Sequence, residues 1–261
     1  MGTYAISGAA AGIGAATAAL LRAEGHQVVG IDLHDTEVVA DLATSQGRAH
    51  AVAAVGAACG GRLDGVALFA GVGGATGRPG SLLVALNYFG SVRLFEGLRP
   101  LLGPGGSAVA VSSVATTIQP GWSQALVDAC LSEDEAKACE VALLGDSAET
   151  YPATKVALAR WVRRQAPSAA WAGAGVRLNA VAPGLIETAF VEETRQDPVL
   201  GSLIDAFPLP LGRGGRAEEV AEVVSFLLSP RSSLLVGTFL LCDGGTEAML
   251  RPDAWPSRWE V

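Results

Sequence analysis

The sequence predicts an α/β fold in which a doubly wound, parallel seven-stranded sheet carries helices on both faces. Apolar strand patterns alternate with helical patterns along the whole chain, and this alternation is typical of parallel strands joined by right-handed crossovers. Half of the residues are hydrophobic but only 6% are aromatic, which suits strands that are buried on both faces. Because no linker or repeat interrupts residues 1–261, we expect a single domain.

The predicted strands are short apolar runs bounded by glycine, proline or polar residues. In chain order they are Thr3–Ser7, Gln27–Ile31, Val38–Ala40, Gly65–Ala70, Ser107–Ser112, Val176–Ala182 and Thr238–Cys242. Helical patterns lie between them, and the first of these stops at Gly25. The predicted helices are a stretch that ends at Glu24, then Ser45–Ala58, Ser81–Leu101, Tyr151–Ala166 and Ala217–Leu228.

Residues 114–150 are predicted to form a helical insertion between the fifth strand and the helix that begins at Tyr151. Acidic residues dominate this segment. Its run Ser132-Glu133-Asp134-Glu135 is typical of a capping box that opens a helix. We expect that helix to end near Gly145.

Charge and composition argue against several classes of function. The formal net charge of −8 argues against nucleic acid or an anionic membrane as the main partner. The four cysteines form no C-x-x-C pair and no metal-binding spacing with the three histidines, so we expect no metal site and buried thiols in a reducing compartment. No apolar run reaches ~18 residues, and the N-terminus has no basic signal region. These observations predict a cytoplasmic protein without a membrane partner.

A glycine-rich loop follows the first predicted strand and leads directly into the first predicted helix. Its sequence is Ser7-Gly8-Ala9-Ala10-Ala11-Gly12-Ile13-Gly14. Small residues there let the backbone approach a pyrophosphate, and the start of the helix supplies N–H donors. We predict that Gly8, Gly12, Ile13 and Gly14 bind a dinucleotide, although their G-x-x-x-G-x-G spacing differs from the commoner G-x-G-x-x-G.

Asp32 ends the second predicted strand, eighteen residues beyond Gly14. A carboxylate at this position can accept hydrogen bonds from both hydroxyls of an adenine ribose, and it would repel a 2′-phosphate. Neither Ala9–Ala11 nor Leu33 supplies a cation that would reverse this preference. We therefore predict NAD as the cofactor; the alternative is a solvated aspartate at a strand end.

Tyr151 and Lys155 lie four residues apart in a predicted helix, so their side chains share one face. A phenol has a pKa near ~10 and exchanges protons poorly at neutral pH. A neighbouring ammonium stabilises the phenolate and lowers that pKa, which suits proton exchange with an alcohol or a carbonyl. Pro152 would then occupy the first helical turn, where a missing N–H is tolerated. The alternative is an exposed helix pair that takes no part in chemistry.

Two further polar residues are candidates for the site. Ser113 follows the fifth predicted strand, and ligands bind at the carboxyl ends of strands in open α/β sheets. Asn87 lies within an apolar helical pattern, and on pattern alone we expect it to face solvent or to bond locally.

The segment after Pro183-Gly184 is rich in apolar side chains and is predicted to form one wall of a substrate cleft. These side chains are Phe190, Val191, Leu203, Ile204 and Phe207. Trp122 in the insertion is predicted to supply the opposite wall. No Arg or Lys lies between Ser113 and Trp122, which favours an apolar small-molecule alcohol or ketone, although Arg195 and Arg213 leave a charged substrate open. The alternative is that the apolar residues only seal the loop onto the core.

Together these motifs resemble the short-chain dehydrogenase/reductase family, and the resemblance spans essentially the whole chain. It implies a Rossmann fold, NAD as cofactor and an oxidoreductase that interconverts an alcohol and a ketone. The matching pieces, in the family's order, are Gly8-x-x-x-Gly12-x-Gly14, Ala70-Gly71, Asn87, Ser113, Tyr151-x-x-x-Lys155, Pro183-Gly184 and Thr188.

The resemblance also implies a role for each matching residue. Tyr151 would be the acid/base, Lys155 would bind the nicotinamide ribose, and Ser113 would hold the reacting oxygen. Asn87 would anchor a water that relays protons through Lys155. The other implied cofactor contacts are Asp32, Asp41 and Leu42 at the adenosine end, Ala70, Gly71, Pro183 and Gly184 along the cleft, and Ile186 and Thr188 at the nicotinamide carboxamide.

Two departures from the family pattern point to a sub-branch. Leu68-Phe69-Ala70-Gly71 stands where Asn-Asn-Ala-Gly is usual, and the gap from Ser113 to Tyr151 is 38 residues, longer than is usual. With the late Met249-Leu250-Arg251-Pro252, the chain is similar to a bacterial hydroxysteroid dehydrogenase branch. This implies a 3α-hydroxysteroid or 3-oxosteroid as the leading substrate, with an aromatic or terpenoid alcohol as the alternative. A non-catalytic NAD-binding sensor or scaffold is the alternative from another class.

The resemblance has a consequence for assembly. Family members usually pair the helices equivalent to those of Asn87 and Tyr151 with their partners' copies in a four-helix interface. The insertion enters directly before the Tyr151 helix and would alter this surface. We therefore expect a homodimer, with the family's common tetramer as the alternative.

Overall fold

Seven parallel strands form the central sheet of the computed structural model, which describes residues 1–119 and 121–255. Their order across the sheet is β3-β2-β1-β4-β5-β6-β7, so the direction of winding reverses between β1 and β4. The strands are β1 Thr3–Ser7, β2 Gln27–Asp32, β3 Val38–Val39, β4 Leu63–Leu68, β5 Leu102–Val111, β6 Arg177–Pro183 and β7 Phe239–Cys242. The predicted doubly wound α/β fold is therefore confirmed.

Helices connect successive strands and cover both faces of the sheet. None of the helices in the described ranges is long and apolar enough to cross a membrane. The α-helices there are α1 Gly12–Ala23, α2 Ser45–Ala58, α3 Gly80–Leu83, α4 Ser91–Leu98, α5 Ala115–Ile118, α6 Gln124–Leu131, α7 Glu135–Ala142, α8 Ser147–Gln165, α9 Ala189–Arg195, α10 Gly201–Asp205, α11 Ala217–Leu228 and α12 Thr246–Leu250.

Alternate residues of the central strands enter two separate apolar cores, because successive side chains in a strand point to opposite faces. In β1, Tyr4 and Ile6 belong to the core that includes residues of α1 and α11. Ala5, between them, belongs to the core that includes residues of α2, α4 and α8. Both faces of the sheet are thus buried, which explains why the strands read as nearly continuous hydrophobic runs.

The predicted helix Ser81–Leu101 is divided in the structure. A π-helix, Val84–Gly90, separates α3 from α4, and a 3-10 turn follows at Arg99–Leu101. The π-helix contains Asn87 at its centre. Such wide turns within helices are frequently found at functional sites.

The insertion is helical as predicted, but its helices begin and end at other residues. Ser132 terminates α6, and Glu133 adopts a left-handed conformation with φ 63°. Helix α7 starts after Asp134, whose carboxylate accepts a hydrogen bond from Lys137 N at 3.0 Å. The predicted capping box at Ser132 is therefore wrong, because the positive φ at Glu133 breaks the chain into two helices.

Helix α8 begins at Ser147, four residues before the predicted start at Tyr151. Its N-cap is Asp146, whose side chain accepts a hydrogen bond from Glu149 N at 2.8 Å. Pro152 is consequently inside the helix and beyond its first turn. The prediction that the first turn accommodates this proline is wrong, because the Asp146 cap starts the helix earlier than the Tyr-Lys pattern indicates.

The insertion packs against the body of the protein through polar contacts as well as apolar ones. Arg48 of α2 is buried and its guanidinium contacts the Glu135 carboxylate at 2.7 Å. Arg160 of α8 lies over the Trp122 ring, 5.1 Å from its centroid. Helix α7 also contacts the π-helix, and α6 contacts α8. The insertion therefore covers the Asn87 and Tyr151 helices, as the sequence led us to expect.

Candidate active site

A long cleft runs along the carboxyl ends of the strands, where the winding direction reverses. Its cavity measures about 880 Å³ and is lined by residues that follow β1, β2, β4, β5 and β6. One end lies at Gly8 and Asp32, and the other lies at helices α9, α10 and α12. Open α/β sheets bind ligands in this position.

Glycines shape the nucleotide end of the cleft. Gly8 and Gly12 have φ values of 68° and 55°, a region that other residues rarely adopt. A Cβ on Gly14 would lie only 2.1 Å from the Gly8 carbonyl oxygen. Within the part of the chain that the structure describes, no side chain caps the start of α1 at Ala11, which leaves the first N–H groups of this helix available to an anionic ligand.

Asp32 is held at the same end by backbone donors. One carboxylate oxygen accepts a hydrogen bond from Ala10 N at 3.0 Å, and the other accepts one from Leu33 N at 2.7 Å. The side chain is half-buried at the end of β2 and lines the cavity. The carboxylate is thus fixed next to the glycine loop, with lone pairs left for ligand hydroxyls.

These features fit a nicotinamide adenine dinucleotide: a close-approach glycine loop, an uncapped helix start and a fixed carboxylate. When bound, this cofactor accepts or supplies the hydride. Every residue predicted to contact it lines the one cavity: Gly8, Gly12, Ile13, Gly14, Asp32, Asp41, Leu42, Ala70, Gly71, Tyr151, Lys155, Pro183, Gly184, Ile186 and Thr188.

Tyr151, Ser113 and Lys155 converge in the middle of the cleft. Lys155 Nζ lies 6.0 Å from the centroid of the Tyr151 ring and donates a hydrogen bond to the Val111 carbonyl oxygen at 3.0 Å. Ser112 Oγ donates to the Lys155 carbonyl oxygen at 3.0 Å. The end of β5 therefore holds α8 at the position that brings Ser113 next to Tyr151.

Burial determines the direction in which both titratable groups shift. It raises the pKa of Tyr151, and the interaction with the Ser113 hydroxyl lowers that pKa by a smaller amount. Burial lowers the pKa of Lys155 to about 8, because the charged ammonium is poorly solvated there. The structure therefore does not show the predicted lowering of the Tyr151 pKa by Lys155. With a raised pKa the phenol is protonated at neutral pH, which is the form that donates a proton to a carbonyl.

The sequence pattern led us to expect that Asn87 faces solvent or bonds locally, and this expectation is wrong. It is fully buried, and its side chain makes two hydrogen bonds of 2.9 Å to the backbone of Val72, accepting from N and donating to O. A Cβ on the neighbouring Gly71 would lie 2.9 Å from Asn87 Oδ1 and 3.6 Å from Lys155 Nζ. Asn87 thus fixes the loop after β4 against the lysine.

Ser7 performs a positioning role that the sequence analysis did not identify. Its buried hydroxyl accepts hydrogen bonds from Phe69 N and Ala70 N, both at 3.1 Å. These bonds hold the segment in which the family's asparagines are replaced by Leu68 and Phe69. A serine at the end of an otherwise apolar strand indicates a buried hydroxyl that needs a partner, but it does not identify Phe69 or Ala70 as that partner.

The far end of the cleft is apolar. Phe190, Ile204 and Phe207 line it as predicted, and the Phe190 ring lies 6.1 Å from the Tyr151 ring between centroids. Leu250 of α12 also lines it, which the sequence analysis did not foresee. Trp122 is not among the described residues of the cleft wall; it packs against the core beneath Arg160. The structure thus places Trp122 against Arg160 of α8 and the core, and not in the cleft wall.

Asp197 ties the apolar wall to the opposite side of the cleft. Its carboxylate accepts hydrogen bonds from Thr76 N at 2.6 Å and Thr76 Oγ1 at 2.8 Å. It also accepts from Val199 N and Leu200 N, both at 2.9 Å. The loop after β4 is thereby joined to the segment between α9 and α10.

Comparison with known proteins agrees with this geometry. The chain is 42% identical over 259 residues to a 3-alpha-hydroxysteroid dehydrogenase/carbonyl reductase of Comamonas testosteroni, covering 97% of this chain and 99% of that protein. The chain belongs to the short-chain dehydrogenase/reductase family. It is also 31% identical to a coniferyl-alcohol dehydrogenase of a Pseudomonas species, covering 92% of this chain and 94% of that protein. A family model described as enoyl-(acyl carrier protein) reductase matches residues 138–247.

A solved structure extends the comparison to three dimensions. The 3-alpha-hydroxysteroid dehydrogenase of Pseudomonas sp. B-0831, complexed with NADH, superposes with a TM-score of 0.92 at 45% identity, covering 96% of this chain and 99% of that one. This short-chain dehydrogenase/reductase is thus an oxidoreductase that uses a nicotinamide dinucleotide, and the alternative of a non-catalytic sensor or scaffold is set aside. The arrangement in the cleft can hold a substrate oxygen between Ser113 and Tyr151 and exchange a proton with it.

Proposed function

We propose that this protein is an NAD-dependent dehydrogenase that interconverts a secondary alcohol and a ketone on a bulky apolar ring system, with a 3α-hydroxysteroid/3-oxosteroid as the leading substrate. The observation that carries the proposal is the apolar wall beside Tyr151, formed by Phe190, Ile204, Phe207 and Leu250. Burying ~200 Å² of ring surface at ~25 cal/mol/Å² contributes about 5 kcal/mol, enough to support binding after association costs.

The charges around the cleft support both the substrate class and the cofactor. Lys155 is the one cationic side chain among the described residues that line the cavity. Arg195 contacts Glu192 at 2.8 Å, and Arg213 contacts Glu219 at 2.7 Å, so both guanidiniums are paired with carboxylates. A substrate carboxylate, or the 2′-phosphate of NADP, would therefore meet no free arginine among the described residues of the cleft, whereas Asp32 favours the ribose hydroxyls of NAD.

In the proposed mechanism the protein's own groups manage the proton and the substrate oxygen. Ser113 donates a hydrogen bond to that oxygen, and Tyr151 supplies the proton during reduction or removes it during oxidation. The two hydroxyls together stabilise the developing oxyanion. Lys155 and Asn87 position the Tyr151 side of the cleft, since both converge on Gly71.

An aromatic or terpenoid alcohol is the second candidate substrate. The observation that favours it is the tilted arrangement of the Phe190 and Tyr151 rings, 6.1 Å apart, which suits an offset stack with a planar substrate. The coniferyl-alcohol dehydrogenase relative is consistent with this choice.

The test is a comparison of kcat/KM with NAD for three substrate groups at matched concentrations: 3α-hydroxysteroids, cinnamyl-type or terpenoid alcohols, and short polar hydroxy acids. We expect the steroids to give the highest value. Highest efficiency on cinnamyl-type alcohols with inert steroids would select the second candidate. Highest efficiency on a hydroxy acid would contradict the apolar-cleft proposal.

A further inference from the structure

Pro152 creates a defect in the backbone of the helix that carries Tyr151. In an α-helix the N–H of each residue donates to the carbonyl oxygen four residues earlier. Proline has no N–H, so Pro152 cannot donate to the Ala148 carbonyl oxygen. Proline also disfavours the helical conformation of the residue before it, which here is Tyr151. The helix is therefore weakened at the residue whose orientation the reaction requires.

Gln119 supplies the hydrogen bond that Pro152 cannot make. Its Nε2 donates to the Ala148 carbonyl oxygen at 2.8 Å, a contact between residues 29 apart in the chain. Both residues are half-buried and line the cleft. The Gln119 amide presents its nitrogen to this carbonyl oxygen, because only the nitrogen can donate a hydrogen bond.

The short helix α5, Ala115–Ile118, joins Gln119 to Ser113. Ser113 Oγ accepts a hydrogen bond from Ala115 N at 3.2 Å, and its carbonyl oxygen accepts one from Thr116 Oγ1 at 2.8 Å. Gln119 terminates the helix, and its N donates to the Ala115 carbonyl oxygen at 3.3 Å. Helix α5 therefore starts next to the Ser113 hydroxyl and ends on the turn of α8 that precedes Tyr151.

We infer that Gln119 is a positioning residue for the reaction: by bonding to the Ala148 carbonyl oxygen that Pro152 leaves without its helical donor, it holds Tyr151 in register with Ser113. The inference rests on the proposed acid/base role of Tyr151. The Gln119 side chain also lines the cleft, but this role requires no contact between Gln119 and the substrate. A small displacement of a reacting group can lower the rate ~100-fold, so a contact one turn away is sufficient to influence kcat.

The test uses the fact that Pro152→Ala restores the backbone N–H at this position. In the wild-type background, Gln119→Leu removes the donor, and we expect kcat to fall about tenfold while KM for NAD stays unchanged. In the Pro152→Ala background the backbone N–H at position 152 can donate to the Ala148 carbonyl oxygen. Gln119→Leu should then lower kcat by less than about twofold. Gln119→Glu, which has the same length but cannot donate when ionised, is a second variant for the cycle. Gln46→Leu, on the exposed surface of α2, is the control.

The outcomes separate a positioning role from the other roles of a cleft glutamine. An equal loss of kcat in both backgrounds would overturn the inference, as would a loss confined to KM for the alcohol, which would indicate substrate contact. Unchanged kinetics with a lowered Tm would indicate a purely structural role and would also overturn it. Tyr151→Phe is measured in parallel. Retained activity in Tyr151→Phe would refute the proposed function itself. If Tyr151→Phe is inactive but Pro152→Ala does not reduce the effect of Gln119→Leu on kcat, only the role of Gln119 is refuted.

Discussion

Asn87 and Val72 are joined by two hydrogen bonds of 2.9 Å, in which the asparagine amide pairs with both backbone polar groups of one residue. This pairing explains why a polar side chain is fully buried within a π-helix, since a buried amide is tolerated only when its donors and acceptors are satisfied. It also fixes the loop after β4, whose Gly71 lies close to Lys155 Nζ. Asn87 thus holds the loop after β4 in place along the cleft.

The role of Tyr151 is tested by Tyr151→Phe. We expect turnover to fall at least ~100-fold because the only group lost is the proton donor and acceptor, while NAD binding measured by fluorescence titration stays nearly intact. Tyr88→Phe is the matched control, since the Tyr88 hydroxyl has no hydrogen-bond partner among the described residues. A Tyr151→Phe enzyme with a tenth or more of the wild-type rate would remove Tyr151 from this role.

The charge of Asp32 leads to a prediction about cofactor choice. We expect kcat/KM with NAD to exceed that with NADP at least ~100-fold, because a carboxylate facing a phosphate dianion can account for the ~3 kcal/mol that this ratio requires. Asp32→Ala should lower the ratio of kcat/KM with NAD to kcat/KM with NADP. Equal efficiency of the wild-type enzyme with the two cofactors would refute the prediction.

The lowered pKa of Lys155 predicts how stability depends on pH. Its pKa is about 8 in the folded protein and ~10.4 in an unfolded chain. Between these values the unfolded state binds the proton and the folded state does not, so the free energy of unfolding rises with pH. Below pH 8 both states are protonated and the burial penalty is fully present.

Urea unfolding of the wild type and of Lys155→Met at several pH values measures this effect. We expect the stability of the wild type relative to the variant to be lowest at pH 7 and to increase between about pH 8 and pH 10. Lys137→Met is the control, because Lys137 is exposed on α7. If the difference in the free energy of unfolding between wild type and Lys155→Met stays constant across this pH range, the predicted effect of burial on the Lys155 pKa is contradicted.

Asp197 should influence substrate binding more than the chemical step. Asp197→Ala removes the hydrogen bonds to Thr76 and to Leu200 N, so the segment that carries Ile204 loses its attachment to the opposite side of the cleft. We expect KM for a bulky apolar alcohol to rise several-fold with a smaller change in kcat. Asp205→Ala, in the exposed part of α10, should leave KM nearly unchanged. An unchanged KM in Asp197→Ala would show that the apolar wall of the cleft keeps its shape without the Asp197 hydrogen bonds.

The packing of the insertion leads to a prediction about assembly. Helices α6 and α7 lie against α8 and the π-helix, the elements that family members commonly use in a four-helix interface. We therefore expect a homodimer in solution, with a mass twice that of the 26.5 kDa chain. Light scattering coupled to size-exclusion chromatography measures this directly, and a stable tetramer would contradict it.

The local pattern of the sequence was sufficient for the fold and for the positions of the main candidate residues. The alternation of strands and helices, the glycine loop and the placement of Asp32 at the end of β2 all depend on neighbours in the chain. Tyr151 and Lys155 likewise share a helix face because of their spacing. These predictions were accurate because residue periodicity and turn chemistry act over a few residues, and parallel strands bring their carboxyl ends to one edge.

Only the tertiary structure decided the contacts between distant segments. Asn87 reaches Val72, Ser7 holds Phe69 N, and Gln119 replaces the donor missing at Pro152, across separations of 15, 62 and 29 residues along the chain. None of these pairs has a spacing that a local pattern could reveal. The direction of the Tyr151 pKa also depends on burial, which outweighs the nearby hydroxyl. Burial and pairing of this kind arise when whole elements pack together, so sequence periodicity does not specify them.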